Sequence, residues 1–290
     1  MAGTLWRRLF RGVRRLRQQP YWEHFAGPGW ADRILSVPVS DRFHAKQGRS
    51  VGRLILEAGG RRLVVYLKRH YRLPGRDGLL AALWPGRGRS PALHEWEHLE
   101  WARAEGLPVP TAAAAGEFIG PWGRLQSFLA VEELTGMLPL HEAVPLAAGR
   151  LPADAFRRWK HGLAAEMARI ARALHDRRRF HKDLYLCHFY IAEADTGRLP
   201  DWRGRVWLID LHRLGHHPWA AAWWLAKDLA QLLYSSDVPG VTARDRLAFW
   251  RAYWQGRRPP WWVRWAVRAR AWGYGRHGAA RKKGPPRRAA

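Results

Sequence analysis

The apolar residues of this chain change their period part-way along, and that change limits the folds open to it. Over residues 41–69 they alternate in twos. Leu54-Ile55-Leu56 runs into Ala58-Gly59-Gly60, and Leu63-Val64-Val65-Tyr66-Leu67 follows, which predicts a β-hairpin turning on the glycines. A helix is expected over residues 91–105, stopped by Gly106 and Pro108, and another strand over 125–131. After Pro152 the period lengthens. Phe156, Trp159, Leu163, Met167, Ile170 and Leu174 recur at helical spacing, with Asp154 as the expected N-cap. Two short apolar strands, at 189–192 and 206–209, interrupt a remainder that is otherwise helical. Strands first and helices later predict an α+β protein with two unequal lobes, and 290 residues suffice for both.

The two ends read differently. Six arginines fall in the first 20 residues (Arg7, Arg8, Arg11, Arg14, Arg15, Arg17), interleaved with Leu5, Trp6, Leu9, Phe10, Val13 and Leu16. Steps of one, three and four predict a basic amphipathic helix, either packed on the body or lying in a membrane interface. From Arg276 onward the chain is rich in Arg, Lys, Gly and Pro and reads as a disordered basic tail. The expected organisation is an N-terminal segment at 1–25, a β-rich N-lobe at 26–135, a helical C-lobe at 136–272 and the tail at 273–290.

Composition narrows the classes of function. A hydrophobic fraction of 47% belongs to a folding chain, while a net charge of +26 draws it towards polyanions. Nineteen tryptophans suit a boundary between water and lipid. No recognised nucleic-acid motif accompanies the charge, so a nucleic-acid partner is not expected. The single cysteine, Cys187, rules out an intramolecular disulfide. There is no apolar run of about 18 residues and no signal peptide, so a cytoplasmic location is expected. The histidines from His175 to His217, taken with Cys187, lack the spacing of a zinc site.

The chemistry gathers around the second hairpin. His181-Lys182-Asp183-Leu184 precedes its first strand, Ile209-Asp210-Leu211 closes its second, and the two aspartates are 27 residues apart. A hairpin brings its ends together, which predicts two carboxylates facing one cleft. Phosphoryl transfer needs such a pair, one to take the acceptor's proton and one to hold Mg²⁺ on the nucleotide phosphates. It also needs a cation, and Lys68 stands at the end of the strand Val64–Leu67. Glu95 and Glu97 lie on the following helix as its possible partners, Glu95 being preferred. Gln47-Gly48-Arg49-Ser50-Val51-Gly52 is a weak candidate for a loop covering phosphate, with Gly48 and Gly52 allowing close backbone approach.

Four of these segments together are similar to the lipopolysaccharide-core kinases, the WaaP-like heptose and Kdo kinases. The run His181-Lys182-Asp183-Leu184-Tyr185-Leu186-Cys187-His188-Phe189 resembles their catalytic loop, and Ile209-Asp210-Leu211-His212-Arg213 their metal-binding motif. Val65-Tyr66-Leu67-Lys68-Arg69 and Glu132-Glu133-Leu134-Thr135-Gly136 resemble their lysine strand and interlobe hinge. The resemblance spans roughly residues 40–235 and implies a protein-kinase-like fold, with a small β-rich N-lobe and a larger helical C-lobe. It implies transfer of phosphate from ATP to a heptose or Kdo hydroxyl of the lipopolysaccharide inner core, at the cytoplasmic face of the inner membrane. An anionic membrane surface and a lipid-linked sugar are the implied partners. Carried over, Asp183 is the base, Asp210 the Mg²⁺ ligand, Lys68 the contact to phosphate and Glu95 its orienter, and the backbone at Glu133 and Leu134 holds adenine.

His188 stands where protein kinases place an asparagine ligand. It is either a second metal ligand or a hydrogen-bonded support for the loop. Asp228, only 18 residues after Asp210, is expected to anchor the catalytic loop from below. That short interval disfavours a peptide-docking activation loop. The alternatives are a protein or aminoglycoside-type small-molecule kinase and a non-catalytic basic module for nucleic acid or membrane.

Overall fold

Alternation of the kind seen at residues 54–67 builds one antiparallel sheet in the first half of the chain. The structure is a computed structural model that describes residues 10–46, 48–83, 90–121 and 124–283. The first of two units, Met1–Thr135, contains β1 (Val13–Gln18), α1 (Trp22–Ala26), α2 (Trp30–Arg33), β2 (Ser40–Lys46), β3 (Arg49–Ala58) and β4 (Arg61–His70). There follow α3 (Gly75–Leu83), α4 (Pro91–Ala104), β5 (Ala112–Ile119) and β6 (Leu125–Glu132). The six strands order as β1-β5-β6-β4-β3-β2.

The β3–β4 hairpin turns on Gly59 and Gly60, whose φ values of 56° and 72° carry no steric penalty without a Cβ. Val65 and Leu67 of β4 point into a core closed by Trp22, Trp30 and Phe128. Trp30 meets Trp22 and Phe128 edge-on, with ring centroids 5.7 and 5.6 Å apart, the geometry favoured by aromatic quadrupoles.

The N-terminal segment differs from expectation. Val13–Gln18 is a strand, not part of an amphipathic helix, and pairs with β5 so that Leu16 faces Gly116 and Arg15 faces Glu117. Arg15 bonds Glu117 at 2.5 Å, and the same buried carboxylate accepts the Ser90 amide at 2.9 Å. An open sheet edge and a buried acid both require partners, and β1 supplies both. Of the rest of the expected helix, Phe10 and Arg11 are helical and residues 1–9 lie outside the described residues.

The second unit, Gly136–Ala290, is mainly helical. It comprises β7 (Met137–Pro139), α5 (Leu140–Arg150), α6 (Ala153–Asp176), β8 (Arg179–Phe180), β9 (Phe189–Ala192), β10 (Trp207–Leu208) and β11 (Gly215–His216). Three helices complete it: α7 (Ala221–Ser235), α8 (Ala243–Trp254) and α9 (Trp261–Lys283). Strands β10-β9-β7 form one small sheet and β11-β8 another. Helix α6 buries the predicted stripe of Trp159, Leu163, Met167, Ile170 and Leu174, and it packs on α8 while α7 packs on α9.

Two expectations are corrected here. The cap of α6 is Pro152, already extended at φ −57° and ψ 150°, while Asp154 lies inside the first turn and pairs with Arg157 at 2.6 Å. The expected basic tail is helical up to Lys283, because Ala, Arg and Lys are strong helix formers that extend a helix already nucleated. Residues 284–290 lie outside the description. Among the described residues, no helix is long and apolar enough to cross a membrane.

Candidate active site

In the first unit, β4 places Lys68 beside Leu129 of β6 and Val51 of β3. Its neighbour Leu67 is fully buried, so strand alternation turns Lys68 to the other face of the sheet. Lys68 Nζ donates to Glu95 Oε1 at 2.6 Å. Glu95 is buried on α4, whose N-cap Ser90 accepts the Leu93 amide, whereas Glu97 is exposed. The structure thus pairs Lys68 with Glu95.

Gly48 lies at the β2–β3 turn with φ 77°, and its carbonyl accepts the Tyr71 amide at 2.8 Å. Gly52 is not in that turn. It lies within β3 opposite Leu67, because pairing with β4 continues up to Arg49. Gln47 falls outside the described residues. At the end of β6, the Glu133 amide donates to the Val64 carbonyl at 2.9 Å. The Glu133 carboxylate accepts both guanidinium arms of Arg53, at 2.7 and 2.8 Å, and the Tyr66 hydroxyl at 3.1 Å. Arg53 first, opposed by burial and aided by Tyr66, holds this carboxyl below its usual range. Leu134 follows, half-buried.

In the second unit, β8 leads into the loop carrying Asp183, a 3₁₀ turn at Leu186–His188 leads into β9, and Asp210 lies two residues past the end of β10. Pairing of β9 with β10 brings the ends together, and the Ile209 amide donates to the His188 carbonyl at 2.9 Å. His188 links the two aspartates. Its Nδ1 donates to the Asp183 carbonyl at 2.7 Å, and its Nε2 lies 3.7 Å from Asp210 Oδ2. Donation from Nδ1 leaves the Nε2 lone pair of a neutral ring facing Asp210. Burial lowers the His188 pKa, but Cys187, the Asp183 carbonyl and Asp210 outweigh it and leave it raised. The other oxygen of Asp210 accepts His212 Nδ1 at 2.7 Å.

Helix α7 holds this loop in place. Asp228, wholly buried, accepts the His181 and Lys182 amides at 2.8 Å each. Gln231 Oε1 accepts the Leu184 amide at 3.1 Å, and Ser235 Oγ accepts the Leu186 amide at 2.8 Å. Residues 228, 231 and 235 lie on one helical face, so a single helix satisfies four loop amides. The anchoring expected of Asp228 is present in this geometry. His181 is fully buried and held as a support, its Nε2 donating to the Ile209 carbonyl at 3.0 Å, and burial lowers its pKa. Lys182 and Asp210 both adopt positive φ, 69° and 64°, a conformation other residues must hold in place.

Arg213 has the clearest contact that sequence reasoning left without a role. Its guanidinium donates to both Asp183 oxygens, at 2.9 and 2.8 Å. Its position three residues after Asp210 was visible in the motif, but its partner was not. Gln231 and Ser235 could have been found as a polar stripe continuing from Asp228 on an otherwise apolar helix.

Comparison with known proteins agrees with this arrangement of motifs. The model of the lipopolysaccharide kinase (Kdo/WaaP) family matches residues 42–253. This chain belongs to that family. It is similar to the lipopolysaccharide core heptose(I) kinase WaaP of Pseudomonas aeruginosa, 34% identical over 181 residues that cover 62% of this chain and 64% of that protein. It is also similar to the same-named kinase of Escherichia coli K12, 31% identical over 169 residues, covering 57% and 62%. The chain therefore spans less than two thirds of the length of either relative. Among solved structures it is similar to WaaP in complex with acyl carrier protein, with a TM-score of 0.64 and 26% identity over 93% of this chain and all of that one. The fold is α+β and protein-kinase-like, as expected from the family motifs.

Proposed function

We propose that this family member transfers the γ-phosphate of ATP to a sugar hydroxyl, a heptose or Kdo, of the lipopolysaccharide inner core. The observation that carries this reading is the joining of Asp183 and Asp210 through His188, on a loop held rigid by α7. In it, Asp183 orients the acceptor hydroxyl and takes its proton as the new P–O bond forms. Each carboxylate oxygen has two lone pairs, so Asp183 can accept the hydroxyl without losing Arg213. Lys68, oriented by Glu95, contacts the nucleotide phosphates. Gly48 at its turn and Gly52 in its strand offer backbone near them. Because the Glu133 amide is committed to Val64, adenine would be met by the Glu133 carbonyl and the Leu134 amide.

Asp210 and His188 would hold Mg²⁺. The donor set fits, since Mg²⁺ takes few protein ligands and completes its shell with phosphate oxygens and water. When bound, the ion neutralises charge on the transferring phosphoryl group. The segment from Asp210 to α7 consists of a 3₁₀ turn at Leu211–Arg213 and the short β11. It has little room for a peptide-docking loop, which supports a small or lipid-borne acceptor over a protein.

We place the enzyme on the cytoplasmic face of the inner membrane, where its anionic acceptor lies. The reading includes an acyl carrier protein as partner, supported by the solved WaaP complex and by an apolar cavity here lined by Leu163, Met167, Leu186, Leu229, Leu232 and Val267. The test is γ-phosphate transfer from ATP to purified core lipopolysaccharide, with product mapping. Wild type is expected to transfer, and Asp183→Asn to lose roughly 10²–10⁴-fold in kcat. Absence of transfer to the core, or equal transfer by the variant, would overturn the reading.

A further inference from the structure

Helix α9 has two apolar faces, where a surface helix in water normally has one. Val263 and Val267, each 3% exposed, lie on the inward face of α9, which packs on α7. On the opposite face Trp261, Trp265 and Trp272 are 78%, 68% and 65% exposed. Spacings of four and seven residues set them in one row, roughly 16 Å long at about 1.5 Å per residue. Arg264 and Arg268 flank this row on one side and line a shallow depression with the three indoles. Arg276 extends it, stacked over the Trp272 ring at 4.7 Å. The sequence of α9 contains no Asp or Glu.

Three indoles left in water are costly unless something covers them. A ring that is apolar on its faces and donates from its N–H suits the boundary between lipid headgroups and hydrocarbon, and guanidinium suits the phosphates there. We propose that the Trp261–Trp265–Trp272 face of α9 docks on an anionic lipid bilayer, with Arg264 and Arg268 on the lipid phosphates. A protein partner of standard size covers about 800 Å² on each side, more than one row of indoles provides. A bilayer needs only one helical face sunk about 5–10 Å into the interface. A nucleic-acid duplex would match the arginines and leave the indoles without an apolar surface.

This deepens the membrane part of the proposed function and names the surface involved. It rests on that reading only for the biological membrane concerned, because docking is measured without ATP or acceptor and can fail or succeed independently of phosphotransfer. The experiment is co-flotation of the full chain with vesicles of equimolar phosphatidylcholine and phosphatidylglycerol, and with phosphatidylcholine alone. Wild type is expected to float with the anionic vesicles and to remain below with the neutral ones. The triple variant Trp261→Ala, Trp265→Ala, Trp272→Ala and the double variant Arg264→Glu, Arg268→Glu should each lower the bound-to-free ratio roughly tenfold. Circular dichroism and melting should stay unchanged, and the double variant carries the test if the triple variant melts early. Flotation of both variants like wild type, equal binding to neutral vesicles, or retention of a single-stranded RNA probe without vesicle binding would overturn the proposal.

Discussion

Arg213 holds Asp183 through one nitrogen, Nη1, which bridges both carboxylate oxygens and fixes where they point. Arg213→Ala is expected to lower kcat about tenfold with little change in KM for ATP, since positioning and not nucleotide binding is lost. Arg213→Lys should recover much of the loss, because one nitrogen makes both contacts and an ammonium can donate to both oxygens; steady-state kinetics would decide. Asp245 gives the second unit a pH dependence. Burial alone would raise its pKa, but Lys160 at 2.6 Å and the Thr242 hydroxyl and amide at 2.7 Å outweigh burial and hold it low. A depressed folded pKa means the contribution is full above the unfolded value of about 3.9 and fades as pH falls through the folded one. Asp245→Asn should therefore melt below wild type near neutrality, and the two midpoints should converge as pH drops below about 4.

Among the elements, β1 shows most clearly how a partner far along the chain decides local structure. Its Leu16 fits over Gly116, where an added Cβ would come within 2.7 Å of Leu16 Cδ2 and 2.6 Å of Phe128 Cε1. Gly116→Val is expected to cost about 1–3 kcal/mol by overpacking. Leu16→Ala should relieve part of that loss, which a double-mutant denaturation series would measure. Helix α7 was legible as a helix from its apolar residues. Its role as the anchor of the loop carrying Asp183 was legible only at Asp228, because Gln231 and Ser235 acquire meaning from loop amides more than 40 residues earlier in the chain.

For the whole molecule, a net charge of +26 sets the electrostatics. Like charges repel in the folded state more than in the expanded chain, so screening should stabilise the fold. The melting midpoint is expected to rise as salt increases from roughly 0.01 M to about 0.15 M, over which the Debye length falls from about 30 to about 8 Å. A fall over that range would show that attractive surface pairs dominate instead. What the sequence determined by itself was local. The Gly59-Gly60 hairpin, the α6 stripe, and Lys68, Asp183 and Asp210 in motif order follow from residue type and short spacing, whose physics is steric and periodic. Tertiary structure decided the rest. It chose Glu95 over Glu97 by burying one and exposing the other. It made a strand of Val13–Gln18 because the buried Glu117 and an open sheet edge needed partners. It joined Asp183 to Arg213, and it left the tryptophans of α9 facing outward. Those outcomes depend on which distant groups the fold buries together and which it leaves in water, and spacing along a chain does not carry that information.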